Sequence, residues 1–408
     1  MSAPTRSPRL AIVLSHPTQY YSPWFRWLRA KTSLVFRVFY LDETGLAARH
    51  DEKFQKSFAW DVDLTSGYDW ELVENTARRP GTLRFFGLRN PSLHRRIDDW
   101  GADAILLFGY NYATHLKLIL WARIKKIPLL FRGDSHLLGR PSHSSGNLPL
   151  ATSNFAKRCL YRQFAAITYV GQANRDYFRF HGVPDKKLFF APHAVNAAHF
   201  DPSSPAHRNI SLALRVELGL PAHTQVVLFA GKLIPQKQPL ALLEAFLALH
   251  RSDVALLFVG EGPEKPDMLA RAAKAPPETA LQFLPFANQS EMPSRYLLAD
   301  LVVLPSRGGY ETWGLTINEA MHLGVPCLVS DEVGCQRDLV TAGETGWVFP
   351  AENSEALREK LREALAAVAD PPRRAALRKR VQTRVAGYSF AAAAAGLMEA
   401  VAHVTSPR

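Results

Sequence analysis

The chain has 408 residues, 47% apolar and 21% charged, which fits a globular protein long enough for two full-sized cores and excludes a disordered one. No run approaches the roughly eighteen uninterrupted apolar residues of a spanning helix, and the opening MSAPTRSPRLAIVLSHP is expected to be neither signal peptide nor anchor. The formal net charge is +12, and its excess lies in the first half. Residues 1–200 carry 28 Lys and Arg against 15 Asp and Glu, and residues 201–408 carry 21 against 22.

In chain order, short apolar strands alternate with longer amphipathic stretches, the rhythm of α/β domains with parallel sheets. The first half predicts strands at Leu10–Ser15, Val35–Leu41, Ala104–Phe108, Leu129–Arg132, Ala166–Val170 and Leu188–Ala191, with helices including Pro23–Ala30 and His115–Lys125. The Pro- and Ser-rich stretch Asp201–Asn209 reads as a linker, after which the rhythm restarts. Strands are expected at Gln225–Ala230, Val254–Gly260, Leu281–Leu284, Leu301–Pro305 and Cys327–Ser330. Helices are expected at Pro239–His250, Lys265–Ala273, Trp313–His322 and Ser354–Ala367. The economical architecture is two doubly wound domains, residues 1–205 and 206–387, facing across a cleft. The Ala-rich tail, residues 388–408, is expected to form a helix docking back on the first domain. Ligands of such sheets sit at the carboxyl ends of the strands, so the cleft is where chemistry belongs.

Two places at predicted strand ends carry suitable groups. After the strand ending at Ala230 come Gly231, Lys232 and Lys237, followed by a helix. Lysine is ordinarily a surface residue, but two ammonium groups at a strand end can neutralise a departing diphosphate. Without ligand, Lys237 is expected to face solvent. The second place is GGYETWGLTINEAMHLG, in which seven residues separate Glu311 from Glu319. Gly314 and Leu315 open a helix there, and free N–H groups at a helix start suit a phosphate. Carboxylates only accept hydrogen bonds, so Glu311 and Glu319 suit two polyols on either side of it.

These elements resemble the retaining GT-B glycosyltransferases of family 4, the group 1 glycosyltransferases. The resemblance rests on Gly231-Lys232 with Lys237, on Val259-Gly260-Glu261-Gly262-Pro263, on Ala299-Asp300 through Pro305-Ser306, and on Glu311 through Glu319; it is continuous from about residue 225 to 367. It implies that Lys232 and Lys237 contact the donor diphosphate. Glu311 would hold the transferred sugar, Gly314 and Leu315 would offer backbone N–H groups, and Glu319 would bind the ribose. It also implies that no metal or other cofactor is needed. In the first half, PHAVN at residues 192–196 stands where Pro-Asn-Gly-Val-Asp is common in the family, and SHPTQYYSPW replaces a glycine-rich turn. The family's cleft histidine falls within RGDSH, where spacing offers Asp134 and chemistry offers His136. His16 and Tyr20 are further candidate contacts for sugar or acceptor, with a packing role open for Tyr20 and its neighbour Tyr21.

The implied activity is transfer of a sugar, with retention, from a nucleoside-diphosphate sugar (UDP- or GDP-linked) to a glycan or lipid-linked hydroxyl, in surface polysaccharide or glycoconjugate synthesis. Lys232, Lys237, Glu311 and His136 are the residues expected to carry it. The alternatives are a nucleotide-sugar epimerase of the same fold or a catalytically silent sugar-binding protein. The basic first half suits an anionic membrane surface or simple solvation, and no nucleic-acid motif appears. Three scattered cysteines, Cys159, Cys327 and Cys335, fit a reduced cytoplasmic setting, with peripheral attachment to the inner membrane face open.

Overall fold

The computed structural model describes residues 7–47, 49–52, 55–139 and 150–406. The first sheet is built from β1 (Arg9–Leu14), β2 (Val35–Tyr40), β5 (Trp70–Leu72), β6 (Ala104–Phe108), β7 (Leu129–Arg132), β8 (Ala166–Tyr169) and β9 (Leu188–Phe190). Between its second and third strands in sequence, a hairpin of β3 (Arg49–Asp51) and β4 (Lys56–Phe58) stands apart. The second sheet contains β10 (Gln225–Ala230), β11 (Val254–Val259), β12 (Ala280–Leu284), β13 (Leu301–Leu304), β14 (Cys327–Ser330) and β15 (Gly346–Phe349). Strand order is β5-β2-β1-β6-β7-β8-β9 in one sheet and β12-β11-β10-β13-β14-β15 in the other, and every pairing within these two is parallel.

Parallel strands sandwiched by helices need apolar residues on both faces, which is why their sequences read as apolar runs and not as alternations. In β10, Val226 and Leu228 join a core with Ile317, Ala320 and Met321 of helix Leu315–His322. Val227 and Phe229 point the other way, into a core with Leu242, Leu243 and Phe246 of helix Pro239–Leu247 and Leu361 of helix Ser354–Ala369. In β1 the same period of two sends Leu10, Ile12 and Leu14 to one core and Ala11 and Val13 to another. Each fully buried Val, Leu, Ile or Phe contributes about 1.5–3 kcal/mol from removing its surface from water.

The predicted strands stand within a residue or two of those observed. The hairpin β3–β4, β5 and β15 were not predicted. The expected linker Asp201–Asn209 is a linker only to Ser204. Pro205 opens helix Pro205–Glu217, with the Ser204 side chain accepting from the His207 N–H and proline's fixed φ suiting the first turn.

The tail packs on the first domain. Helix Phe390–Thr405 buries Phe390, Ala393, Ala394, Leu397, Ala400 and Val401 in the core that holds Leu10, Ile12, Trp24 and Phe25. Gly396 lets it lie against β9, because a Cβ there would sit 1.8 Å from the Phe190 carbonyl oxygen. A second tie joins the halves at Asp338. Its buried carboxylate accepts from the N–H of Gln172 (3.0 Å), the first residue of helix Gln172–Phe180, and from the Tyr388 hydroxyl (3.0 Å). A carboxylate at a helix N-terminus is favourable, and here it is supplied from the other domain.

Outside the cleft, two histidines have low proton affinity, His115 buried and His322 half-buried. His115 has neither ring nitrogen hydrogen-bonded, and burial pushes it down to about 3; His322, with Nε2 unpartnered, is pushed to about 4. Because the unfolded chain binds these protons near pH 6.5, it takes up more protons than the folded chain below that value. Their stabilising contribution is therefore complete above about pH 6.5 and falls as pH drops toward 4, by up to about 1.4 kcal/mol per pH unit for each. We expect urea midpoints to fall across that window and His115→Leu to flatten the decline. Identical slopes for the two proteins would show that His115 does not contribute.

Candidate active site

Between the two sheets lies a cleft of about 570 Å³ lined by both domains. Among the segments that line it, four that follow strands β10, β13, β7 and β9 carry most of its ionisable groups.

The first follows β10. Gly231 turns the chain at φ 153°, and the short 3₁₀ turn Pro235–Lys237 leads into helix Pro239–Leu247. The turn after β11 packs backbone to backbone on it: a Cβ on Gly260 would lie 2.0 Å from the Gly231 carbonyl oxygen. Lys232 and Lys237 both line the cleft. Lys237 does not face solvent. Its side chain is only 12% exposed, with Nζ 2.5 Å from Glu311 Oε2. Lys232 Nζ lies 2.8 Å from Asp51 Oδ2 at the end of β3, in the other domain.

The second segment follows β13. Ser306 Oγ donates to Glu311 Oε2 (3.3 Å), and Gly314, at φ 100°, caps helix Leu315–His322. The Glu311 main-chain oxygen accepts from the Gly334 N–H at 3.0 Å and faces His136 Nε2 at 3.1 Å. His136 Nδ1 accepts from the Leu138 N–H at 3.1 Å, so Nε2 carries the proton and donates to Glu311. One turn into the helix, Glu319 is 3% exposed. It accepts from Tyr296 Oη at 2.7 Å, Tyr20 Oη at 3.1 Å and Gln289 Nε2 at 3.4 Å. Burial raises its pKa, and these donors temper the rise. Burial and the facing carboxylate push Tyr20 upward as well.

The third and fourth segments follow β7 and β9. Asp134 turns into the cleft, accepts from Thr312 Oγ1 at 2.8 Å and faces His193 Nε2 at 3.5 Å. Burial alone would raise Asp134, but the bond and charge of His193 and the Thr312 hydroxyl bring it down to about 2. Burial lowers His193, against the pull of Asp134. At neutral pH this wall thus presents the Asp134 carboxylate with the His193 imidazole beside it. Arg132 lies behind it, donating to the main-chain oxygens of Ala191 (2.8 Å) and Pro192 (3.3 Å) and so fixing the loop that carries His193.

The cleft therefore brings together Gly231, Lys232, Lys237, Glu311, Gly314, Leu315, Glu319, Tyr20 and Asp134. It does not include His136, which is 2% exposed and lies beneath the Glu311 loop. Between Asp134 and His136, Asp134 is the cleft residue. His16 lines an adjoining cavity and has Nδ1 2.9 Å from Ser15 Oγ. Sequence reading missed Asp51, His193, Gln289, Thr312 and Tyr296. Of these only His193 left a signal, in its departure from asparagine in the PHAVN segment. Among the described residues, no cluster of three His, Cys, Asp or Glu side chains is arranged to hold a metal ion. Chemically, the cleft offers two ammonium groups and a helix start toward a diphosphate, and three carboxylates toward hydroxyls.

Residues 212–384 match the family described as glycosyl transferases group 1. The D-inositol 3-phosphate glycosyltransferase of Frankia alni is 32% identical over 239 residues, 55% of this chain and 54% of that one. The alpha-D-kanosaminyltransferase of Streptomyces kanamyceticus is 27% identical over 263 residues, 63% and 64% of the two chains. The chain thus spans little more than half the length of the first of these curated relatives. Among solved structures, a glycosyltransferase from Rickettsia africae superposes with a TM-score of 0.74 at 14% identity, covering 98% of this chain and 100% of that one. Anabaena HepE in complex with UDP and glucose gives 0.69 at 19% identity, covering 97% and 99%. The fold is GT-B, two Rossmann-like domains facing across a cleft.

Proposed function

We propose that this chain, a group 1 glycosyltransferase in its second half and GT-B in fold, moves a sugar with retention from a nucleoside-diphosphate sugar to a hydroxyl of a glycan or lipid-linked acceptor. The observation that carries the reading is the convergence of Lys232, Lys237, Glu311 and the start of helix Leu315–His322 on one cleft. In this reading the diphosphate of a UDP- or GDP-sugar lies over the helix start and takes Lys232 and Lys237 from their carboxylate partners. Glu311, freed from Lys237, accepts from hydroxyls of the transferred sugar, and Asp134 lies on the opposite wall. The acceptor hydroxyl attacks the anomeric carbon on the face the diphosphate leaves. The bond to the diphosphate oxygen breaks as the new glycosidic bond forms, and the departing diphosphate takes the acceptor's proton. The two ammonium groups stabilise its charge, and no cofactor takes part. His136 acts through the Glu311 main chain, as a positioning residue. The excess of basic residues in the first half supports work at an anionic surface, the cytoplasmic face of a membrane in surface-glycan synthesis.

Lys237→Ala is expected to lower kcat by about 10²-fold, the scale of an oxyanion contact. A folded variant with unchanged turnover would remove Lys237 from the mechanism.

The ribose assignment yields a separate expectation. Glu319→Gln weakens UDP and UDP-sugar alike, whereas Glu311→Gln weakens the intact donor and spares UDP. Tyr20→Phe tightens UDP several-fold, because the ribose hydroxyl no longer competes with Tyr20 for Glu319. Calorimetry reads all three. Equal losses for both ligands at Glu311, or weaker UDP binding by Tyr20→Phe, would reassign these side chains.

A further inference from the structure

A second cavity, about 710 Å³, adjoins the cleft and shares Lys232, Asp51, Phe58 and Trp60 with it as a common wall. Apart from Lys232, its lining comes from the first domain: the turn after β1 with His16, the hairpin β3–β4, and the loop from Arg79 to Arg84. Three properties distinguish it from an ordinary surface hollow.

The first is charge. Arg79 and Arg84 line the cavity, and among the described residues neither side chain has a carboxylate partner. Some arginines of this domain are engaged by carboxylates, among them Arg26 by Asp63, Arg37 by Asp69 and Arg96 by Glu71. Of the two acids on the wall, Asp51 is engaged by Lys232, which leaves Glu52 as the opposing charge. Guanidinium groups free of carboxylates suit a phosphate, whose oxygens match their forked N–H donors. The second is the aromatic wall. Phe58 and Trp60 pack edge to face at 5.0 Å, and Phe58 is anchored to Phe286 of the other domain at 4.5 Å. Anchored rings of this kind give a rigid apolar surface for the face of a sugar or polyol. The third is the rim. Leu83 is 82% exposed and Phe86, just beyond the lining, is 67% exposed, beside the two arginines.

We infer that this cavity is the acceptor site and that it selects an acceptor bearing a phosphate group, held by Arg79 and Arg84. The inference rests on the glycosyltransferase reading above. The acceptor's ring lies against Phe58 and Trp60, and its reacting hydroxyl reaches the donor cleft past Lys232. The phosphate belongs either to a soluble sugar or polyol phosphate or to a phospholipid-like acceptor whose apolar part runs out over Leu83 and Phe86.

The test uses the full chain saturated with UDP, which fills the donor side. Glucose 6-phosphate and glucose are titrated as the soluble pair. Vesicles of phosphatidylglycerol and of phosphatidylcholine form the lipid pair. Wild type is expected to favour the phosphate-bearing member of at least one pair by about 10-fold or more. Arg79→Ser/Arg84→Ser removes that preference and leaves UDP affinity unchanged, which also shows that the variant is folded. Leu83→Ser/Phe86→Ser weakens vesicle binding alone if the acceptor is lipid-borne and changes nothing if it is soluble. Indifference to the phosphate in both pairs, or an arginine variant that keeps the preference, overturns the proposal. Failure of wild type to bind UDP, with the phosphate preference intact, counts instead against the donor reading.

Discussion

A buried carboxylate sets the spacing of this molecule. Glu319 sits one turn into the helix after β13 and is almost fully withdrawn from water. An ionised carboxylate so placed is strongly unfavourable unless donors replace its lost hydration. Two of the three donors, Tyr296 and Gln289, come from its own domain, and the third, Tyr20, reaches across from the other. The cost of an unsatisfied charge thus becomes a constraint on how far apart the domains stand. Asp338 imposes the same constraint from behind, since it caps a helix of the first domain and binds Tyr388 at the entry to the tail. With two carboxylates bridging the halves, the strand ends of both sheets face one another at a fixed separation.

The cationic groups of the cleft are neutralised in the same spirit. Lys237 is held by Glu311 and Lys232 by Asp51, all partly buried. Half-buried pairs of this kind have modest net energies, because attraction is set against lost hydration. An anion with two charges close together can therefore displace the carboxylates at little cost. The hairpin β3–β4 makes this exchange a matter of both domains, since Asp51 lies at its first strand while Ala59 and Asp61, just past its second, meet Asn288 and Ser290. Asp134 needs no such exchange. His193 and Thr312 keep it charged in place.

The two sheets were legible in the sequence because strands buried on both faces are unbroken apolar runs, as in VVLFA after Gln225 and ALLFV after Val254. What escaped was short, polar or long-range. Lys56–Phe58 and Trp70–Leu72 span three residues each, too few for a period to emerge. The Pro- and Ser-rich entry to helix Pro205–Glu217 imitates a linker because proline and serine serve equally at a helix start and in a loop. In the site, Lys232, Lys237, Glu311 and Glu319 could be found because each follows a strand at a fixed offset. Their partners Asp51, Tyr296 and Gln289 could not, because nothing local in a sequence marks a carboxylate that will meet a lysine 181 positions away. His136 illustrates the opposite error. Its chemistry suited the cleft, but two residues of spacing turned it under the loop and gave the cleft to Asp134.

The docking of the last helix on the first sheet makes the second domain, in topological terms, an insertion. The polypeptide leaves the first domain after β9, builds the whole second sheet, and returns to lay Phe390–Thr405 over β8 and β9. With Gly396 pressed on the Phe190 carbonyl, that helix forms part of the first domain's interior. The two halves are therefore not modules that can be cut apart at one junction. An N-terminal fragment would expose Leu10, Ile12 and Trp24 where Leu397 and Val401 should cover them. Exchange of the second domain between related chains, in evolution or by design, must keep two crossing points in register. A recombination event that replaces the segment between them can preserve the first domain, whereas a simple fusion at one crossover would destroy its core.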